Sequence, residues 1–172
     1  MKLFRLIPLW ILMFALPLIG GCGVYSLTGA SISGKTINIR TLENRALNVA
    51  PSLATVLTDK LRNRILSQTG LAAVNTEAAD YDMKGTITSY VVSTAGVQSV
   101  NGIAQGSTNR LTVTVEVDFK NKLDDKASFK QSFSRFYDFK ADQQLLSIEA
   151  AAIDDIGNQI ADDIFNKAFV NW

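Results

Sequence analysis

Hydrophobic and polar positions along the chain change their period several times, and each change marks an element. In "KTINIRT", Ile37 and Ile39 alternate with Thr36, Asn38 and Arg40, the period of a half-buried strand. Pro51 suits a first helical turn, and after it Leu53, Val56, Leu57, Leu61 and Ile65 fall on one stripe, so a helix is predicted with Gly70 placed to end it. Asp59, Lys60, Arg62 and Arg64 lie largely off that stripe and read as a solvated face. "YDMKGTITSYVV" then puts Tyr81, Met83, Ile87 and Val91 on one side of a second strand. "RLTVTVEVDFK" has the cleanest alternation, with Leu111, Val113, Val115, Val117 and Phe119 against Thr112, Thr114, Glu116 and Asp118. "SFKQSFSRFYDF" continues it with Phe129, Phe133 and Tyr137, while Phe136 breaks the alternation and marks a bulge or a second contact surface. The short polar connection 121–126, "NKLDDK", makes those last two strands an antiparallel hairpin. A final helix carries the stripe Leu145, Ile148, Ala152, Ile156, Ile160 and Ile164, with Glu149, Asp154, Asp155, Asp162 and Asp163 on or near the other face.

The predicted order is β-α-β-β-β-α. Alternating strands bury one face and amphipathic helices need one face to cover, so the fold class is α+β. The expected form is a two-layer sandwich, with an about four-stranded mixed sheet and both helices on one face. If the first two strands are parallel neighbours, their crossover is right-handed. The opposite sheet face, with Thr86, Thr88, Thr112, Thr114, Glu116 and Asp118, is left open to water or to a polar partner. Residues 93–108, Gly-rich and longer than a usual hairpin connection, carry Val97, Val100 and Ile103. Either the strands extend into this segment, or it is a mobile loop whose apolar residues a partner covers; the second reading is favoured, and makes those three residues partner-contact candidates.

Ahead of the fold lies a different pattern. Lys2 and Arg5 precede the apolar run Leu6–Ile19, which Pro8 and Pro17 interrupt and small Gly20 and Gly21 close. That run is shorter than the roughly 20 apolar residues a spanning helix needs. Residues 1–21 are therefore expected to be an export signal. Ile19, Gly20, Gly21 and Cys22 resemble the lipobox of bacterial lipoproteins, in which the cysteine is acylated and becomes the mature N-terminus. A lone cysteine is otherwise a small buried hydrophobe; its place after a complete signal favours lipidation of Cys22. Each buried CH₂ contributes about 0.8 kcal/mol, so the three acyl chains implied by that resemblance hold a protein durably. Residues 22–34 then form the lipidated N-terminus and a Gly/Ser-rich tether, and 35–172 a single α+β domain. No acidic run follows Cys22, which favours a periplasm-facing position.

Composition narrows the chemistry. Seventeen Lys and Arg against sixteen Asp and Glu leave the charge near zero, so no nucleic-acid footprint is expected. The absence of histidine removes the commonest general base and metal ligand, and the single cysteine excludes an internal disulfide. No metal site, cofactor or catalytic residue is expected. A hydrolase would need a rarer Ser-Lys or carboxylate arrangement, and no G-x-S-x-G elbow is present. The acidic positions of the last helix read as a solvated face, since nothing apolar surrounds them.

Four segments, "CGVYSLTGASI" at 22–32, "NRLTVTVEVDFKNK" at 109–122, "FKQSFSRFYDF" at 129–139 and "DDIFNKAFVNW" at 162–172, resemble the LptE family of lipopolysaccharide-assembly lipoproteins. The resemblance implies a non-enzymatic lipoprotein of the cell outer membrane, facing the periplasm. It would plug the large LptD β-barrel, help that barrel fold, and contact lipopolysaccharide during insertion into the outer leaflet. Lipopolysaccharide is anionic, so Arg110, Lys120, Lys122, Lys126, Lys130 and Arg135 are the candidate phosphate contacts. Their other reading is ordinary surface charge interleaved with Asp118, Asp124 and Asp125. The competing function is a periplasmic envelope lipoprotein that activates a cell-wall synthase, distinguished by an inner-membrane partner.

Overall fold

The computed structural model describes residues 32–48, 50–100 and 103–170; Cys22 lies outside the described residues. A six-stranded sheet carries two helices on one face. In chain order the elements are β1 (Thr36–Ile39), β2 (Glu43–Asn44), α1 (Leu53–Thr69), β3 (Ala72–Ala73), β4 (Tyr81–Val100), β5 (Ile103–Asn121), β6 (Phe129–Lys140) and α2 (Leu145–Phe169). The spatial order is β3-β1-β4-β5-β6, with β2 also pairing with β4. β1 and β4 are parallel neighbours, while β4, β5 and β6 form an antiparallel meander. The α+β architecture holds, with a correction to the strand count: β2 and β3 are two residues each and join the four predicted strands.

The two short strands have local causes. Between β1 and β2 the chain takes four steps, Ile39 to Glu43, while β4 takes three, Met83 to Thr86. The extra residue turns Leu42 into the core, where it packs over Gly85 and its N–H donates to Thr58 Oγ1 at 3.0 Å. Thr58 is thereby buried without an orphaned hydroxyl, since it donates in turn to the Ala54 carbonyl at 2.6 Å. After α1, Gly70 takes φ +67° and its N–H caps Leu66 O at 3.3 Å, a left-handed turn that costs glycine little. The chain then drops back beside β1 as β3.

Leu53, Leu57, Leu61 and Ile65 of α1, and Ile153, Ile156, Ile160 and Ile164 of α2, are all buried against the inner sheet face. Burying each such side chain contributes about 1.5–3 kcal/mol. At one end of this core, Phe119 stacks with Tyr81 at 5.8 Å and meets Phe129 and Phe169 at 5.3 and 5.6 Å. Gly157 sits where the helices cross, and a Cβ there would stand 3.3 Å from Leu57 Cδ2 and Lys60 Cγ. The helical charges are not simply solvated, as expected from sequence. Lys60 meets Asp154 at 2.5 Å and Arg64 meets Asp162 at 2.8 Å between helices, while Arg135 of β6 grips Asp163 of α2 through two 2.6 Å bonds.

The segment 93–108 is corrected. It is not a loop: β4 runs to Val100 and β5 starts at Ile103, with those two residues paired across a two-residue connection. Phe136 is not at a bulge either, because β6 keeps an unbroken register with β5 from Phe129 to Lys140. The bulge falls in β4, between Ile87 and Ser89. It reverses the alternation, so Tyr90 rather than Val91 enters the core and Val91 goes to the outer face.

Candidate functional site

The helices cover one sheet face and leave the other open. Outward positions of β5 are Arg110, Thr112, Thr114, Glu116 and Asp118, each partly accessible, flanked by Thr86 of β4 and by Ser132 and Ser134 of β6. Short polar side chains dominate because this face carries no apolar layer. Hydroxyls bond laterally, Thr114 to Ser134 at 3.1 Å and Thr88 to the Thr114 carbonyl at 3.3 Å. Charges lie in cross-strand pairs. Arg110 donates two bonds to Asp138, at 2.7 and 2.8 Å, and holds that carboxyl below the usual carboxylate range. The same guanidinium lies 3.6 Å from the centre of the Phe136 ring, so an aromatic that is 47% exposed is roofed by a cation.

A shallow cleft of about 400 Å³ opens on this face beside the β1–β2 irregularity. Arg40, Arg45, Lys84 and Lys130 line it against Glu43, Glu116 and Asp118. Lys130 pairs with Glu116 at 3.0 Å. Arg40 connects the cleft to a residue outside it: Asp82, 5% exposed, accepts from Asn38 Nδ2 at 2.6 Å and lies 3.5 Å from Arg40 Nη2, so a buried charge is compensated. Arg40 also donates to Glu77 at 2.6 Å, which lowers the pKa of that carboxyl. The lining is polar, mixed in sign and open, which suits a charged or hydroxyl-rich surface rather than an enclosed small molecule. Sequence reasoning missed Arg40, Arg45 and Lys84 as members. Lys84 is an outward position of β4, while Arg40 and Arg45 directly follow β1 and β2, so only the pairing of those strands with β4 brings the three together.

The six basic candidates divide. Arg110 and Lys130 are on the open face in the pairs just described. Lys120, opposite Asp82 on the same face, and Lys126, in the turn after β5, have no ion pair among the described residues. Lys122 Nζ donates to the Glu77 carbonyl. Arg135 points to the helical side and its guanidinium is held by Asp163, so the structure does not bring all six together.

Above the helical layer, β4 and β5 continue alone as a two-stranded ribbon. β6 ends at the pair Thr108–Lys140 and β2 at Asn44–Ile87, so both ribbon edges are without a strand partner among the described residues. From Val97, the first β4 residue beyond the last β5–β6 pair, to Val100 it extends about 10 Å. No charged side chain occurs from Gly85 to Asn109. Val97 is 66% exposed on it; Val100 and Ile103 pair through their backbones, and their side chains are outside the description. Val91 and Val92, at its base, are also exposed.

A family model described as "LptE: Lipopolysaccharide-assembly" matches residues 34–168. No curated protein matches the chain. Among solved structures it is similar to the rare lipoprotein B from Shewanella oneidensis, at 17% identity over 77% of this chain and 92% of that one, with a TM-score of 0.50. It is also similar to a protein from Xanthomonas campestris, at 13% identity over 78% of this chain and 83% of that one, also with a TM-score of 0.50. These likenesses show a shared fold.

Proposed function

The chain belongs to the LptE lipopolysaccharide-assembly family, and we propose that it is a non-enzymatic lipoprotein, anchored through Cys22 to the outer membrane and facing the periplasm. There it fills an LptD-like β-barrel, helps that barrel fold and assists lipopolysaccharide insertion into the outer leaflet. The observation that carries the reading, beside the family, is the two-sided sheet. One face is sealed by α1 and α2, and the other is a broad array of hydroxyls and paired charges. Large outer-membrane barrels have polar lumens, and such a face is compatible with that wall without burying unpaired charge.

The ribbon supports the same reading. It is without charge and bears exposed valines, which alone would also suit a bilayer. Unpaired strand edges, however, are not tolerated in hydrocarbon. A polar lumen offers hydrogen-bond partners to its unpaired backbone groups, and its valines are left to pack against whatever apolar side chains the wall carries. Lys120 and Lys126, with no carboxylate already bound, are the basic candidates best placed to gain a phosphate; Arg110 and Lys130 would have to exchange a partner for one.

The test is purification of the full chain with its native signal from detergent-solubilised envelopes, with Cys22→Ala as control. Stoichiometric recovery of a large outer-membrane barrel, identified by mass spectrometry, is expected. An inner-membrane synthase, or no partner, overturns the assignment.

A further inference from the structure

β6 is the outermost strand of the sheet, and among the described residues no strand pairs with its free edge. The direction of its backbone groups follows from the ladder. Ala141 N–H donates to Ser107 O at 3.3 Å, while Lys140 N–H turns away to Gln143 Oε1. Antiparallel pairs alternate between bonded and non-bonded, and the register is unbroken, so the odd residues of β6 bond to β5. The N–H and C=O groups of Lys130, Ser132, Ser134, Phe136 and Asp138 therefore point out of the sheet. Natural edges are blunted by bulges, prolines, charged side chains or a covering segment. This one, twelve residues long, has no bulge and no proline, and what guards it are its charges, Lys130, Arg135, Asp138 and Lys140. Gln131, Ser132, Ser134, Arg135 and Phe136 along it are all exposed.

We infer that this edge pairs with β6 of a second copy of the chain, antiparallel about a two-fold axis at Ser134. The charges identify the occupant, because they are arranged to complement themselves. In that register Lys130 stands opposite Asp138 of the other copy on the open face, twice by symmetry, and Ser132 stands opposite Phe136, leaving room for the ring. On the helical side Phe129 meets Phe139, Gln131 meets Tyr137 and Phe133 meets Arg135. Moving the axis by one residue, to Arg135, sets Lys130 against Lys140 and removes the attraction. A closed barrel wall has no edge to offer, so a β-barrel partner cannot take this place. The two sheets become one, with both helical layers on one side and both open faces on the other. The inference depends on neither the lipid anchor nor a barrel.

Residues facing each other across an antiparallel bonded pair have Cα atoms about 5.5 Å apart, within disulfide reach. The full chain carrying Ser134→Cys, expressed in excess in its own envelope and oxidised, is expected to give a covalent dimer at twice the chain mass on non-reducing gels, above any band from the unaltered chain. Ser132→Cys is expected to give none, because the two copies of that position lie ~13 Å apart along the paired strands. Adding Asp138→Lys to Ser134→Cys places lysine against Lys130 and should abolish the band; adding Lys130→Asp as well should restore it, even though neither change rebuilds the Arg110 or Glu116 pairs within one chain. Absence of a dimer at 134, an equal band at 132, or failure of the double exchange to restore it overturns the pairing. Barrel co-purification is a separate readout and decides only the family role.

Discussion

Asp80 shows how one carboxylate fixes the entry of the chain into the fold. Its Oδ2 accepts from the N–H groups of Lys35 and Thr36, at 2.8 and 3.0 Å, and from the Thr36 hydroxyl at 3.0 Å. The Lys35 and Thr36 amides, then the hydroxyl, lower its pKa. A carboxyl whose folded pKa is depressed adds stability above its unfolded value, about pH 4, and loses it as the pH falls through the folded value. Asp80→Asn should therefore lower the Tm at neutral pH, and the gap from the unaltered protein should close below about pH 4. Thermal unfolding at a series of pH values checks this. Tyr90 is the counterpart on the other side of the bulge. Its buried hydroxyl donates to Glu149 at 2.5 Å, and burial first, then that carboxylate, pushes the phenol pKa up. Tyr90→Phe leaves the ring packed and removes a bond to a charged acceptor, for an expected loss of about 1.5–3 kcal/mol in denaturant unfolding at pH 7. At Gly157, a valine would drive two methyls into contacts a Cβ already makes at 3.3 Å. Overpacking of that kind costs about 1–3 kcal/mol, and the same measurement would show it.

At the scale of elements, the aromatic end of the core and the ribbon are the two extremes. Phe119 is fully buried among Tyr81, Phe129 and Phe169, so Phe119→Ala should cost about 3–5 kcal/mol, read from denaturant midpoints. The ribbon lies beyond the last β5–β6 pair, and amides between Val97 and Gly106 should exchange with deuterium well before those of Leu111–Phe119. The sequence betrays these elements unequally. β5 was legible because one face is fully buried and one open, so every second residue from Leu111 to Phe119 is apolar. Both helices were legible from their stripes, and Gly70 from its turn. β2 and β3 were not, because two residues carry no period, and their pairing follows from the extra residue at Leu42 and the return after Gly70. The bulge at Ile87–Ser89 is silent in sequence as well: Tyr90 and Val91 are both apolar, and only the register decides which is inside. The ribbon looked like a loop because strand residues with neither face buried have no reason to alternate. On the candidate surface, the polar face of β5 was readable, whereas Arg40, Arg45 and Lys84 depended on the parallel pairing of β1 with β4.

On the whole molecule, the two ends differ in what they present. Lys35 and Thr36 enter beside Tyr81 and Asn121, at the aromatic end, while the β4–β5 connection lies at the other, about 60 Å along β5. The chain from Cys22 to Lys35 can span at most about 45 Å, so if the proposed anchor at Cys22 is made, the aromatic end is the one held near the membrane. Deleting residues 97–105 should leave the Tm nearly unchanged, since among the described residues the core has no member between Tyr90 and Leu111, and should reduce barrel co-purification if the ribbon supplies that contact. The charge-free run from Gly85 to Asn109 has one more consequence. Exposed ion pairs such as Lys130–Glu116 and Arg110–Asp138 are screened when the Debye length falls to about 3 Å in 1 M salt. A ribbon with no charge has nothing to screen, and burial of apolar surface does not weaken in brine. An attachment made through the open face should wash away as ionic strength rises, and one made through the ribbon should persist, so a salt gradient alone separates which part of the molecule is gripping.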